Sequence, residues 1–129
     1  MSSKNLDALL AKANALFRQG KFTQALAAYE DLIVGLRQLI NDGQTELQPS
    51  LLRVQMSRAT TLNSLNRLPE VLAAYDDIIA GYQLISDSLT ELKPYLLMAQ
   101  MHHAMTLKSL NRLPAALAAY DEVIAGCSS

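Results

Sequence analysis

The chain has 129 residues, half of them apolar, with no Trp, two Phe and a formal net charge of -1. That length fits one domain, and the balanced charge, without any block of one sign, excludes the basic stripe that a duplex nucleic-acid binder carries. No charge-free apolar run approaches about 18–20 residues, so no membrane span is expected, and the single Cys127 excludes an internal disulfide framework. The apolar content is mostly Leu and Ala, which lose little on entering a helix. The first residues, MSSKNLDALLAKAN, meet a charge early, lack an apolar h-region and offer no glycine for myristoylation. A cytoplasmic protein is expected.

In chain order, the pattern predicts six helices, near 4–18, 22–40, 47–65, 68–85, 92–110 and 114–125. They form three copies of one helical pair, A then B, at about 4–45, 46–90 and 91–126. Residues 51–81 and 96–126 are identical at 21 of 31 positions. Residues 9–35 form a weaker first copy at an offset of 46 from the second. The one-residue difference falls between Gly35 and Thr45, compared with Gly81 and Thr90, which marks a loop or helix end that tolerates a change in length.

Helix A of the second copy carries Leu51, Val54, Met56, Ala59, Leu62 and Leu65 at helical spacing. The A helices stop at Gly20, Asn66 and Asn111. Gly and Asn are the residues that most readily adopt the left-handed conformation closing a helix. A basic residue follows each time, Lys21, Arg67 or Arg112, and then an apolar one. Pro69 and Pro114 fit the first turn of helix B, where a missing N–H costs nothing. Helix B repeats a small residue (Ala25, Val71, Ala116), an aromatic four positions on (Tyr29, Tyr75, Tyr120) and an apolar residue one turn further (Leu32, Ile78, Val123). After Gly35 and Gly81, the residues Leu36, Leu39, Ile40, Tyr82 and Ile85 favour helix B continuing through the glycine, at a cost of about 1 kcal/mol against Ala. A loop starting at the glycine is the alternative.

A small residue followed by an aromatic on helix B, a tight Gly/Asn turn and a preceding helix A together resemble the tetratricopeptide repeat (TPR). The string ALAAYDEVIAG is similar to helix B of many bacterial members. The resemblance covers nearly the whole chain. It implies an all-α fold: an alpha-solenoid of three antiparallel hairpins wound as a right-handed superhelix, acting in protein–protein interaction. The chain departs from the family in three ways. Its repeat is 45–46 residues instead of 34. Leu9, Gln55 and Gln100 stand where helix A usually opens with an aromatic. Ala13, Ala59 and Ala104 stand where Gly is commoner.

No constellation for catalysis is present. His102 and His103 are adjacent and point about 100° apart on a helix, so they cannot chelate one ion together; they read as a solvated or groove-facing pair. Asp76–Asp77, Asp121–Glu122 and Glu30–Asp31 recur on helix B and read as a solvated face instead of paired acid–base groups. No glycine-rich phosphate loop occurs. Neither a metal nor a cofactor is expected, and the chain is not expected to be an enzyme.

The binding residues expected on the A helices are Leu10, Asn14, Met56, Thr60, Met98, Met101, His102 and Met105. Methionines suit adaptable binding surfaces, although the stripe Met98, Met101 and Met105 equally fits packing against a neighbouring helix. The resemblance implies that helix A lines the concave face, where Lys, Asn and Arg on successive A helices can clamp a partner's C-terminal carboxylate. By position only Asn14 of that set is present; Leu10, Ser57, Met98 and His102 occupy the other places of the set. A groove ligand is therefore expected to be an apolar or helical protein segment. The last helix carries Leu113, Leu117, Tyr120, Val123 and Ile124, more than one partner helix hides, with no polar cap after it. A longer array, a lost partner, or a homo-oligomer formed through this helix all fit.

Overall fold

The computed structural model describes residues 3–86 and 93–128. In chain order these form α1 (Ser3–Arg18), α2 (Phe22–Asn41), a single 3-10 turn (Thr45–Leu47), α3 (Gln48–Ser64), α4 (Leu68–Ser86), α5 (Lys93–Ser109) and α6 (Leu113–Ser128). No strand occurs among the described residues. The six expected helices are all observed, with their described ends within a few residues of the periodicity. Segment 87–92, where the second copy's length difference falls, lies outside the described residues, as does the side chain of Cys127.

The turns are built as their residues dictate. Gly20, Asn66 and Asn111 have φ of 78°, 58° and 61°. After α1, the Gly20 N–H donates to the Phe17 carbonyl and the Lys21 N–H to the Leu16 carbonyl. After α5, Asn111 donates to Lys108 and Arg112 to Leu107 in the same 5→2 and 6→1 pattern, which satisfies carbonyls left over at a helix end. Helix α2 continues through Gly35 to Asn41 and closes the same way at Gly43, whose φ is 113°. Helix α4 likewise runs through Gly81 to Ser86. Pro49, Pro69, Pro94 and Pro114 all sit in the first turn of a helix.

The chain divides into two compact units, Met1–Asn66 and Arg67–Ser129, with the boundary at the turn inside the second copy. In the first, α1 packs on α2 and α2 on α3. Ala13 and Ala25, both 0 % exposed, let α1 and α2 approach closely, and Tyr29, Leu32, Ile33, Leu36, Leu51 and Val54 fill the core around them. In the second, α4 packs on α5 and α5 on α6. Ala104 and Ala116 are buried small residues of α5 and α6, and Val71, Tyr75, Ile78, Tyr82 and Val123 complete that core. Two threonines, Thr61 and Thr106, are buried on A helices. Each bonds the carbonyl four residues back, Ser57 and His102 respectively, at 2.8 Å, which removes the penalty for an unpaired hydroxyl.

Candidate functional site

Within each unit, a B helix meets the A helix that follows it through matching side chains. In the first unit, Arg58 Nη2 of α3 lies 3.5 Å from Glu30 Oε2 of α2. In the second, His103 Nε2 of α5 lies 2.8 Å from Asp76 Oδ1 of α4. Glu30 and Asp76 are equivalent positions of helix B, and Arg58 and His103 are equivalent positions of helix A. The acids are at least half-solvated, so each pair contributes at most about 1 kcal/mol. One residue earlier on α5, the ring of His102 stacks on Tyr75 at 5.6 Å and 14°. The expectation of a solvated or groove-facing histidine pair is therefore corrected. Both rings are half-buried and directed at α4, because an imidazole offers a flat apolar face to Tyr75 and a polar edge to Asp76. The carboxylates taken as a uniformly solvated face are likewise divided, since Glu30 and Asp76 have partners.

The first unit contains a cleft of about 310 Å³. Its floor is Leu32 and Leu36 of α2. One wall is α1, with Leu6, Asp7, Leu10 and Asn14. The other is α3, with Ser50, Arg53, Val54 and Ser57. A smaller space of about 220 Å³ adjoins it at Asn14 and Ser57 and reaches Phe17, Tyr29 and Thr60. The floor and lower walls are apolar, while the rim carries an acid, Asp7, and a base, Arg53. Two residues explain why room is left here. At the positions of Leu36 and Ser50 the second unit has Tyr82 and Tyr95, whose rings stack at 6.2 Å and 12°. In the adjoining space, the Tyr29 hydroxyl donates to Asn14 Oδ1. Burial pushes the Tyr29 phenol above its ordinary range, opposed in part by the Ser57 hydroxyl and the Arg18 charge.

The structure brings only some of the expected binding residues together. Leu10, Asn14 and Thr60 lie along the cleft and its extension. Met56 is half-buried on α3, outside the lining. Met98, Met101 and Met105 are exposed on α5, so that stripe lies at the surface and not in the core. His102 is held against Tyr75. Asp7, Ser50 and Arg53 were not anticipated. Their signal was available only by comparing copies, where Ser50 answers to Tyr95 and Arg53 to Met98. Among the described residues, no group of three or more His, Cys, Asp or Glu is placed to hold a metal ion.

No protein-family model matches the chain. No curated protein matches it. Among solved structures, it is similar to the crystal structure of nearly identical TPR-like repeats from a Podospora anserina protein described as a kinesin light chain. The two share 17% identity with a TM-score of 0.73, over 97% of this chain and 56% of that one. The chain thus spans a little over half the length of that structure. At this identity the likeness concerns the fold: the chain is an all-α protein of TPR-like repeats.

Proposed function

We propose that this TPR-like chain is a non-catalytic protein-interaction module whose first unit holds an amphipathic helical segment of a partner protein. The cleft carries this reading. It has a leucine floor and space for a few apolar side chains. Asp7 and Arg53 on opposite walls complement a segment that presents a basic residue on one flank and an acidic one on the other. Such a segment buries its apolar ridge and keeps its charges at the solvated rim, the usual division of labour in helix-in-groove recognition. The absence of any nucleophile–base–orienter set in the sequence supports a binding role over catalysis. A cytoplasmic setting belongs to the same proposal. It is supported by the single cysteine and by the finding that, among the described residues, no helix is long and apolar enough to cross a membrane.

Selection from a displayed library of helical peptides tests this directly. Peptides enriched on the purified chain are expected to be amphipathic and to lose binding at least tenfold to Ser50→Tyr, which places in the cleft the ring that the second unit carries at Tyr95. Ser50 is a half-buried wall residue, so the variant is expected to fold. Peptides that bind Ser50→Tyr and the unaltered chain equally well would contradict the proposal.

A further inference from the structure

The same helix face is treated differently in the three copies. Leu26, Leu72 and Leu117 are equivalent residues of helix B, as are Ile33, Ile79 and Ile124. On α2, which packs against α3, Leu26 and Ile33 are each 6 % exposed. On α4, which packs against α5, Leu72 and Ile79 are half-buried. On α6, Leu117 is 67 % and Ile124 63 % exposed, and Leu113 and part of Tyr120 join them at the surface. In the first two copies, what packs against the B helix is an A helix of the same kind, and an acid on B meets a base on A: Glu30 with Arg58, Asp76 with His103. On α6 the acid at that position is Asp121. It is exposed and makes no ion pair among the described residues.

The base that fits is in the chain already. Lys12 of α1 stands at the position of Arg58 and His103, and it too is exposed and unpaired among the described residues. Along the same face, Ala8 and Ala15 stand where the later A helices have Val54 and Ala99, and Thr61 and Thr106. All are small enough to lie against a B helix. Lys12 is two positions from Leu10, about 200° round the helix, so this face is separate from the one that lines the cleft.

We propose that α6 of one chain docks α1 of a second copy, in the register of the internal B-to-A contacts and with Asp121 paired to Lys12. The contact is heterologous, so a dimer still offers one α6 and one α1, on different copies, and association proceeds head to tail beyond a dimer or closes into a ring. It is weaker than the internal contacts. Asn5 of α1 and Gln19 just after it replace the apolar residues Leu51 of α3 and Leu65 just after it, and a single helix against a single helix is at the small end of interfaces. Assembly is therefore reversible and rises with concentration. An isologous contact of α6 with α6 would bring Asp121 and Glu122 toward their own copies, and like charges disfavour it.

Sedimentation equilibrium on the full chain at low ionic strength tests the proposal, over a hundredfold range of concentration. The expected result is an average mass that climbs with concentration. Lys12→Glu and Asp121→Lys should each weaken association by about three- to tenfold, as expected when one exposed pair is turned from attraction to repulsion. The double exchange Lys12→Glu with Asp121→Lys should return it to within about twofold of the unaltered chain. All these side chains are exposed, so folding is not at stake. A mass that stays at one chain throughout would overturn the proposal. So would a dimer that Asp121→Lys strengthens and Lys12→Glu leaves alone, which is the signature of an α6–α6 contact. Ser50→Tyr should leave association unchanged, so failure here and failure of the cleft reading are separate results.

Discussion

One substitution made at three equivalent positions reads out the packing of the copies. Leu26→Ala removes three buried carbon centres from a side chain that is 6 % exposed. At about 0.8 kcal/mol per buried methylene the transfer loss is about 2.4 kcal/mol, and the cavity left behind brings the cost to about 2–5 kcal/mol. Leu117→Ala removes the same atoms from a side chain that is 67 % exposed. About a third of the transfer term remains, no enclosed cavity forms, and the better helix propensity of Ala offsets part of the loss, leaving a change of about 0.5 kcal/mol or less. Leu72→Ala falls between. The assay is denaturant unfolding followed by far-UV circular dichroism, at a concentration low enough that self-association contributes nothing. Leu26→Ala should move the midpoint clearly and Leu117→Ala barely. Equal shifts at Leu26 and Leu117 would refute the burial gradient, and with it the idea that α6 presents an uncovered face. The series Ile33, Ile79 and Ile124 to Ala provides an independent repeat.

Further expectations concern the turns, the buried phenol and the histidines. Asn111→Ala should cost about 1–2 kcal/mol, because the position has φ of 61°, whereas Asn111→Gly should be neutral or stabilising; the opposite order in thermal melts would show that the turn relaxes. Because the Tyr29 phenol is raised by burial, the stability linked to its neutral form is complete below the unfolded value of about 10 and is lost as pH rises through the higher folded value. Ultraviolet titration should show a late phase that Tyr29→Phe abolishes; a titration unchanged by Tyr29→Phe would refute this. His102→Ala should cost about 0.5–1.5 kcal/mol through its ring stack on Tyr75, and more than His103→Ala, whose partner Asp76 is 63 % exposed. The reverse ranking would show that the His103–Asp76 contact dominates there.

The helices and turns were legible in the sequence because they depend on local rules. Gly20, Asn66 and Asn111 announce left-handed turns, and the residues from Leu36 to Ile40 announce a helix that passes through Gly35. The copies themselves identified the small–aromatic series at Ala25–Tyr29 and Val71–Tyr75. What the sequence did not disclose was which faces meet. Glu30 and Asp76 have the composition of a solvated helix face, and only the packing of α2 on α3 and of α4 on α5 brings Arg58 and His103 to them. His102 and His103 were read as solvent- or groove-facing because an imidazole suits either water or an aromatic ring, and the identity of its neighbour decides. The cleft depended on a difference between copies, Ser50 against Tyr95 and Leu36 against Tyr82, whose meaning appears only once those positions are known to adjoin. The exposure of Met98, Met101 and Met105 was undecidable from periodicity, since an apolar stripe fits a core and a surface equally.

The cleft of the first unit is the centre of the functional account. Its most direct test is a chemical-shift titration of the isotope-labelled chain with a peptide selected on it. The account predicts saturable shifts concentrated at Asp7, Leu10, Asn14, Arg53 and Ser57, and their disappearance in Ser50→Tyr. Shifts confined to α6 or to Met98, Met101 and Met105, with the cleft residues unmoved, would contradict it.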